Sequence, residues 1–482
     1  MKYETIIGLE IHAELSTDSK MFCGCSALFG GEPNTNTCPV CLGHPGSLPV
    51  ANRTAIEYTI MLALALNCRI TSRSVFHRKN YFYPDMPKNF QISQYDVPLS
   101  TGGCIDVDMG DRDRKVGITR VHLEEDTGKS IHIGESGRIH GADYSLEDFN
   151  RAGIPLAEIV TEPDIRSPGE ARAFMQLLRA TLEYLDISDC KMEEGSLRCD
   201  ANISVAVDGK FGTKVEIKNM NSFRALFRAL SYEENRQRQV LEQGGKLIQE
   251  TRHWDDAAGK THPLRSKEED FDYRYFPEPD LVPVEPDLEW VEKLRANLPE
   301  LPQERLHRFV EQFGLSRDIA SMMTGEKALA DYFERAVETG QDTKELAKWV
   351  AGDLSAMLRE AAVPIQGCQV TPGGLGELVA LVERKVISGK MAKDVLREAF
   401  ETGKGPQQIV DEKGLSQIAD ARELEVVVDE IIAENPSAAD DMRGGKEQAL
   451  KFLMGQVMKK TRGKANPDVA SRLLKQKLLG KE

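Results

Sequence analysis

Ile7-Gly8-Leu9-Glu10-Ile11-His12-Ala13-Glu14-Leu15 alternates apolar and polar residues along its length. As a β-strand it places Ile7, Leu9, Ile11 and Ala13 on one face and Gly8, Glu10, His12 and Glu14 on the other. The apolar face suits a core. The polar face sets an imidazole between two carboxylates, and a glycine leaves room at its end. Oxygen ligands with one imidazole suit a hard divalent ion such as Mg2+ or Mn2+. For so short a stretch a solvated strand face is the plainer reading, and the acidic stretches farther along shift the balance.

The chain has 482 residues, enough for two to four domains with real cores. No apolar run is long enough to span a bilayer. Charged Lys2 and Glu4 lead straight into the first strand, so no signal peptide reads at the N-terminus. The expectation is a soluble, cytoplasmic protein without a membrane partner. The net charge of -15 argues against a chain that coats nucleic acid without specificity, though not against a local basic patch.

Four of the nine cysteines form two knuckles, Cys23-x-Cys25 and Cys38-x-x-Cys41, with Gly24, Pro39 and Gly43 around them. That layout predicts a closed, structural zinc site with four thiolates, bracing a loop rather than doing chemistry. Cys68, Cys104, Cys190, Cys199 and Cys368 are scattered and read as core thiols.

Up to about residue 290, short strands and helices interleave without a βαβ rhythm, which predicts an α+β fold with a largely antiparallel sheet. Helices are expected over Ala55–Leu66, Pro168–Leu185 (opened by Ser167 and Pro168) and Asn221–Gln243. Strands are expected over Gly117–Leu123, Pro155–Val160, Ser196–Val205 and Thr213–Ile217, the last two joined across a turn at Asp208-Gly209. After Pro279–Pro283 the patterns are almost all helical, including one long helix over Thr343–Glu360. Boundaries near 291 and 405 give segments 1–291, 292–405 and 406–482. From Lys446 onward there are ten Lys/Arg against three Asp/Glu, with Lys459, Lys460, Arg462 and Lys464 clustered at a Gly-containing joint. In an acidic chain this asymmetry suggests a grip on phosphates, or else a solvated helical surface.

Further polar residues recur at strand positions. Glu124 and Glu125 end one strand; Asp200 and Asn202 alternate on another; Glu216 and Lys218 alternate on the next. If these strands join Ile7–Leu15 in one sheet, carboxylates would hold Mg2+ and cations would meet phosphates, as phosphoryl transfer from a nucleotide requires. There is no Gly-x-x-x-x-Gly-Lys-[Ser/Thr] loop, no kinase motif set and no nucleophile elbow. Residue types and spacing alone indicate a metal-dependent, nucleotide-using enzyme.

A set of longer motifs says more. They include Ile7-Gly-Leu-Glu-Ile-His12, Cys38-Pro-Val-Cys-Leu-Gly-His-Pro-Gly46, Arg78-Lys-Asn-Tyr-Phe-Tyr-Pro-Asp85, Gln91-Ile-Ser-Gln-Tyr95 and His122-Leu-Glu-Glu-Asp-Thr-Gly-Lys129. Asp148-Phe-Asn-Arg-Ala-Gly-Ile-Pro-Leu156, Glu162-Pro-Asp-Ile-Arg-Ser-Pro168, Glu193-Glu-Gly-Ser-Leu-Arg-Cys-Asp-Ala-Asn202 and Glu216-Ile-Lys-Asn-Met-Asn-Ser-Phe223 follow. Asp272-Tyr-Arg-Tyr-Phe-Pro-Glu-Pro-Asp280 and Arg462-Gly-Lys-Ala-Asn-Pro467 complete the set. Over essentially its whole length the chain resembles the B subunits of the aspartyl/glutamyl-tRNA amidotransferases.

The resemblance implies a catalytic cradle of glutamine synthetase or guanidino kinase type, then a helical domain and a small tail that contacts tRNA. It implies a heterotrimer, in which an amidase partner frees ammonia from glutamine and a third, small partner straps the other two. The member that this chain resembles binds misacylated tRNA, phosphorylates the side-chain carboxylate of its glutamyl or aspartyl group with ATP, and forms the amide with channelled ammonia. By resemblance, His12, Glu125 and Glu216 are the metal ligands, with Glu10 a further carboxylate and Lys218 in the catalytic set. Glu14, Glu124, Glu158, Asp200 and Asn202 are secondary candidates. Glu158 and Asp200 read equally well as buried structural carboxylates satisfied by Arg151 or Arg198. The zinc cysteines occur in only part of the family, and all four are present here. A tRNA-binding scaffold without catalysis and a self-contained small-molecule ligase or kinase are the competing readings. The first sits badly with the carboxylates around His12, the second with the basic tail.

Overall fold

The computed structural model describes residues 2–110, 112–134, 141–264, 273–415, 421–444, 446–461, 465 and 467–480. It has two compact units, Met1–Arg305 and Leu306–Glu482.

The first unit is built on the strand Tyr3–Glu14, which contains the alternating stretch. Ile7, Leu9, Ile11 and Ala13 are all buried, each 1% exposed or less. Burying each large aliphatic side chain contributes roughly 1.5–3 kcal/mol, enough to fix which face of the strand turns inward. The strand pairs antiparallel with Leu197–Val207 on one side and Pro155–Thr161 on the other. Val215–Lys218, Glu250–Asp255 and Lys260–Pro263 extend the sheet beyond Leu197–Val207. Asp113–Glu125, Ser100–Asp108 and Arg69–Ile70 extend it beyond Pro155–Thr161. In this nine-stranded sheet one pair, Val215–Lys218 with Glu250–Asp255, is parallel and the others are antiparallel. Asp208 and Gly209 take positive φ (49° and 80°), as a tight turn after Leu197–Val207 requires.

Helices Arg53–Ala65, Pro168–Tyr184 and Phe223–Glu242 contribute to the core on the sheet's apolar face. Each starts at a polar cap: Asn52, Ser167 and Ser222 accept from the amides of Ala55, Glu170 and Ala225. A smaller sheet of Phe276–Pro277, Phe76–Asn80 and Phe90–Gln94 joins the end of Asp113–Glu125 through side chains. Gln94 Oε1 accepts from the Leu123 amide at 3.1 Å, and Gln91 Nε2 donates to the Glu125 carbonyl at 2.6 Å. A hairpin, Lys129–Ile133 with Tyr144–Asp148, stands beside it in sequence.

One irregularity in the large sheet decides which side chains reach the site. Ile118 pairs with Thr161 and Arg120 with Val160, so Thr119 is an extra residue, a β-bulge. On Ser100–Asp108, Gly102 lies opposite Thr119 and takes φ +56°, a conformation a side chain disfavours. Before the bulge Val116 and Ile118 are buried in the core; after it Val121 and Leu123 are. The inward parity therefore switches from even to odd numbers within a single strand.

Leu288–Ala296, read from the sequence as the edge of the helical segment, packs on the sheet unit. Trp290 Nε1 donates to Glu57 on the first helix at 3.1 Å, and Val291 is buried in the same core. The compact unit accordingly extends past 291 to Arg305.

The described residues of the second unit are helical, with two cores, one spanning Leu306–Val410 and one Leu424–Leu478. The helix expected over Thr343–Glu360 is interrupted by a π-turn, Val350–Leu354, where Ser355 Oγ donates to the Val350 carbonyl at 2.6 Å. Among the described residues no helix is long and apolar enough to cross a membrane.

Candidate functional site

Cross-strand register gathers the polar residues into rows on the face of the large sheet opposite the helices. His12 pairs with Arg198 on one side and Glu158 on the other, and Glu158 pairs with His122. The next row runs Arg120, Val160, Glu10 and Asp200. The third holds Gly8, Asn202, Glu216 and Thr251. Residues directly opposite on neighbouring strands share a face, so distant sequence segments become neighbours.

His12 is the hub. Its Nε2 lies 3.4 Å from Glu124 Oε1, 3.5 Å from Glu158 Oε2 and 4.0 Å from Glu10 Oε1. His122 Nε2 reaches the same Glu158 oxygen at 3.3 Å, and Arg120 Nη2 meets the other at 3.4 Å. Ser93 Oγ donates to Glu124 at 3.2 Å. Glu10, His12 and Glu158 form one group with ligand atoms within 4.8 Å of one another; His122, Glu124 and Glu158 form a second. Glu158 belongs to both.

The electrostatics follow from this crowding. Burial alone would lower the His12 pKa, but bonds to the Glu124 and Glu158 carboxylates outweigh it and raise it to about 10. Burial works against the charge on Glu158, yet His122 and His12 hold it well below the usual carboxylate range. Glu10 is raised, first by burial and then by the Glu158 charge. Glu14 is raised to about 8 by burial and by Asp126. Such concentrated perturbation at one place is typical of functional sites. Two carboxylates and an imidazole within reach of one point are a donor set that fits a hard divalent cation.

The smaller sheet supplies groups the sequence reading missed. Lys79 on Phe76–Asn80 and Tyr275 both interact electrostatically with Glu124 and Glu158. Burial would discharge Lys79, but these carboxylates keep its pKa raised. Lys79 Nζ sits 5.0 Å from the Tyr273 ring centroid, and Tyr275 stacks on Tyr95 at 4.3 Å. His122 was likewise unassigned. An Arg-Lys-Asn-Tyr motif and a histidine two residues before Glu124 were visible signals without a register to interpret them.

Three sets of candidate residues stand apart from the places the sequence reading expected. Glu125 is not part of the His12 cluster. It lies on the core-facing parity of its strand, 2% exposed, paired with Lys88 and accepting from the Ile92 amide at 2.9 Å. Glu216 stays on the polar face, two strands from His12, where it meets Lys218 at 3.3 Å and accepts from Thr251 at 2.8 Å. Glu158 and Asp200 are not satisfied by Arg151 or Arg198. Glu158 is held by histidines, and Asp200 by Lys218 at 3.0 Å. Arg198 and Arg151 turn to Asp126, at 2.9 and 3.5 Å.

The four sulfurs of Cys23, Cys25, Cys38 and Cys41 lie within 4.8 Å of one another, and those of Cys38 and Cys41 are 3.9 Å apart. Ligand sulfurs about 2.3 Å from a tetrahedral zinc stand a little under 4 Å apart, so the cluster fits that ion. The Cys23 thiol does most to lower Cys41, to about 4, against burial; the Cys38 amide and Lys20 add to it. In the tail, Lys460 is paired with Glu430 and Glu434, while Arg462 and Lys464 lie outside the described residues.

Residues 5–292 match the family described as the GatB/GatE catalytic domain, and residues 331–478 match the GatB domain. The chain is 55% identical over 480 residues to the aspartyl/glutamyl-tRNA(Asn/Gln) amidotransferase B subunit of Moorella thermoacetica, covering 99% of this chain and 100% of that one. It is 53% identical to the same subunit of Carboxydothermus hydrogenoformans and 52% to that of Brevibacillus brevis, each match covering 99% of both chains. With both its sheet unit and most of its helical unit matched, the chain belongs to the family of aspartyl/glutamyl-tRNA(Asn/Gln) amidotransferase B subunits.

Proposed function

We propose that the His12 face is the phosphoryl-transfer site of a glutamyl/aspartyl-tRNA amidotransferase. The sheet unit acts as an ATP-using cradle of glutamine synthetase or guanidino kinase type. The reaction makes Gln-tRNA(Gln) from Glu-tRNA(Gln), or Asn-tRNA(Asn) from Asp-tRNA(Asn). The observation that carries this reading is the convergence of Glu10, His12, Glu124 and Glu158 beside Lys79. A surface built only to bind RNA would not gather carboxylates there.

The acceptor carboxylate is a poor electrophile until phosphorylated. One of its oxygens takes the γ-phosphoryl, ADP departs, ammonia adds to the acyl carbon, and phosphate leaves with the amide formed. Glu10, His12, Glu158 and Glu124 would hold Mg2+, which when bound offsets the charge gathering on the transferred phosphoryl. Lys79 and Arg120 face the same carboxylates and present cations toward phosphate oxygens. Lys218, fixed between Asp200 and Glu216, does so one row away. Glu125 is left out of the ligand set because it lies on the core-facing parity of its strand, with Lys88 and the Ile92 amide both on its Oε1.

In this reading Cys23, Cys25, Cys38 and Cys41 hold a structural zinc. The tail beyond 405 meets tRNA through the Lys459–Lys464 region, Arg462 and Lys464 included. An amidase and a small strap protein complete a heterotrimer working in the cytoplasm, where charged tRNA is used. The test is ATP hydrolysis by the assembled complex with and without misacylated tRNA. Stimulation by the tRNA supports the reading; hydrolysis indifferent to it points to a self-contained ligase, and none at all to a scaffold.

A further inference from the structure

Lys20 is 1% exposed. Lysine is almost never buried to that degree without a partner, because an unpaired charge in a low dielectric is costly. Its Nζ donates to the Phe149 carbonyl at 3.1 Å and faces Cys41 Sγ at 3.8 Å. Among the described residues no carboxylate lies within salt-bridge distance of it. Glu125 shares the surroundings of Gly153 with Lys20, but it is paired with Lys88. The anionic partner left for the ammonium is sulfur.

We propose that Lys20 is the built-in counter-cation of the four-cysteine metal site. Four thiolates around one divalent ion leave a net charge of about -2, which a half-buried loop tolerates poorly. The Lys20 ammonium cancels part of that charge at Cys41, the most buried of the four sulfurs' residues. This keeps the metal in place and makes the sulfur a weaker nucleophile toward electrophiles. The same residue also ties the loop together. Its amide donates to the Cys25 carbonyl at 3.0 Å, so its backbone holds the first knuckle and its side chain the second. Its bond to Phe149, and that of Met21 to the Gly153 carbonyl at 2.7 Å, fasten the loop to the turn that leads into Pro155–Thr161, the strand carrying Glu158. Partners of metal ligands commonly set affinity in this way.

The inference rests on the reading that the four sulfurs hold a metal, and the experiment separates the two. The full-length chain in its complex is prepared as wild type, Lys20→Met and Lys20→Arg. Zinc content is measured by mass spectrometry, and zinc release by transfer to a colorimetric chelator. The wild type should carry about one zinc per chain. Lys20→Met should release it about ten- to a hundredfold faster, with Lys20→Arg close to wild type. With Co2+ in place of zinc, the sulfur-to-metal charge-transfer band should move to lower energy in Lys20→Met, because the cation that stabilises the sulfur lone pair is gone. Wild-type release and an unmoved band in Lys20→Met would overturn the proposal. Should that variant not accumulate, Lys20→Gln keeps an N–H donor without the charge, and wild-type release from it overturns the proposal equally. A wild-type chain without zinc removes the metal reading itself.

Discussion

The polar face of the large sheet and the tail bundle around Leu424–Leu478 use charge in opposite ways. On the sheet, Glu124, Glu158 and His122 are nearly inaccessible, and each is held by another charge or a hydrogen bond. In the tail, Lys460 and Lys477 reach across the surface to Glu430, Glu434, Glu425 and Asp429. Inward charge costs desolvation and persists where it performs a task or completes a network. Outward pairs of this kind contribute little to stability and are screened by salt. Under the proposed function, the contrast separates a site for chemistry from a surface for contact. It also sets apart a third arrangement: Glu233, 0% exposed, is bound by Arg236, Arg252, Gln237 and Thr261 on the helical side of the sheet.

The largest effect is expected at the hub. In the assembled complex His12→Ala and Glu158→Gln should each lower tRNA-dependent ATP hydrolysis and amide formation by roughly 10²- to 10³-fold. Glutamine hydrolysis by the amidase chain, assayed separately, should persist. Near-normal phosphoryl transfer in both variants would mean that the inward charge on this face is structural, like that of Glu233. Glu125→Gln should be milder than Glu158→Gln in the same assay; the reverse order would restore Glu125 to the ligand set.

An intermediate effect is expected at Glu233. Among the described residues, Glu233→Ala leaves Arg252 and Arg236 with Glu250 as their one remaining carboxylate, at 2.8 and 3.4 Å, and should cost about 3 kcal/mol in urea unfolding of the sheet unit, followed through the buried Trp254. A loss too small to measure would show that these arginines find water, and that the network is less closed than its geometry. The smallest effect belongs to the tail. Lys459→Ala should reduce the salt dependence of tRNA binding by about one unit of slope. Lys460→Ala should do less, because Glu430 and Glu434 already hold that charge. Equal slopes for both variants would show that the ion pairs open when tRNA binds.

Much of the fold was legible in local pattern. The strict alternation of Ile7–Leu15 gave the central strand and its inward face, and Ser167-Pro168 marked a helix start. The knuckle spacing brought four cysteines together because short loops leave them little freedom. The candidate site was legible only in part, since register is a non-local property. Glu10 and His12 were visible on their own strand. The centrality of Glu158 depends on its lying between His12 and His122, which no local signal encodes. Lys79 enters from a second sheet, and Tyr275 from the residue before that sheet's strand Phe276–Pro277, and this docking could not be read from spacing. Glu124 and Glu125 are adjacent and alike, so choosing between them requires the parity of their strand. That parity changes at Thr119.

The bulge at Thr119 makes this part of the chain sensitive to length rather than to composition. Its own side chain donates to Glu162 near the surface, and other residues could serve there. Removing the residue is another matter. A strand that ran on through Thr119 without the bulge would turn Val121 and Leu123 out to the polar face and drive His122 and Glu124 inward. A one-residue deletion would keep that parity against Pro155–Thr161 but leave Gly102 without its counterpart and break the pairing with Ser100–Asp108. Among natural variants of this chain, substitutions at 119 should accumulate freely while insertions and deletions between 118 and 120 stay rare. What inheritance must preserve there is a count.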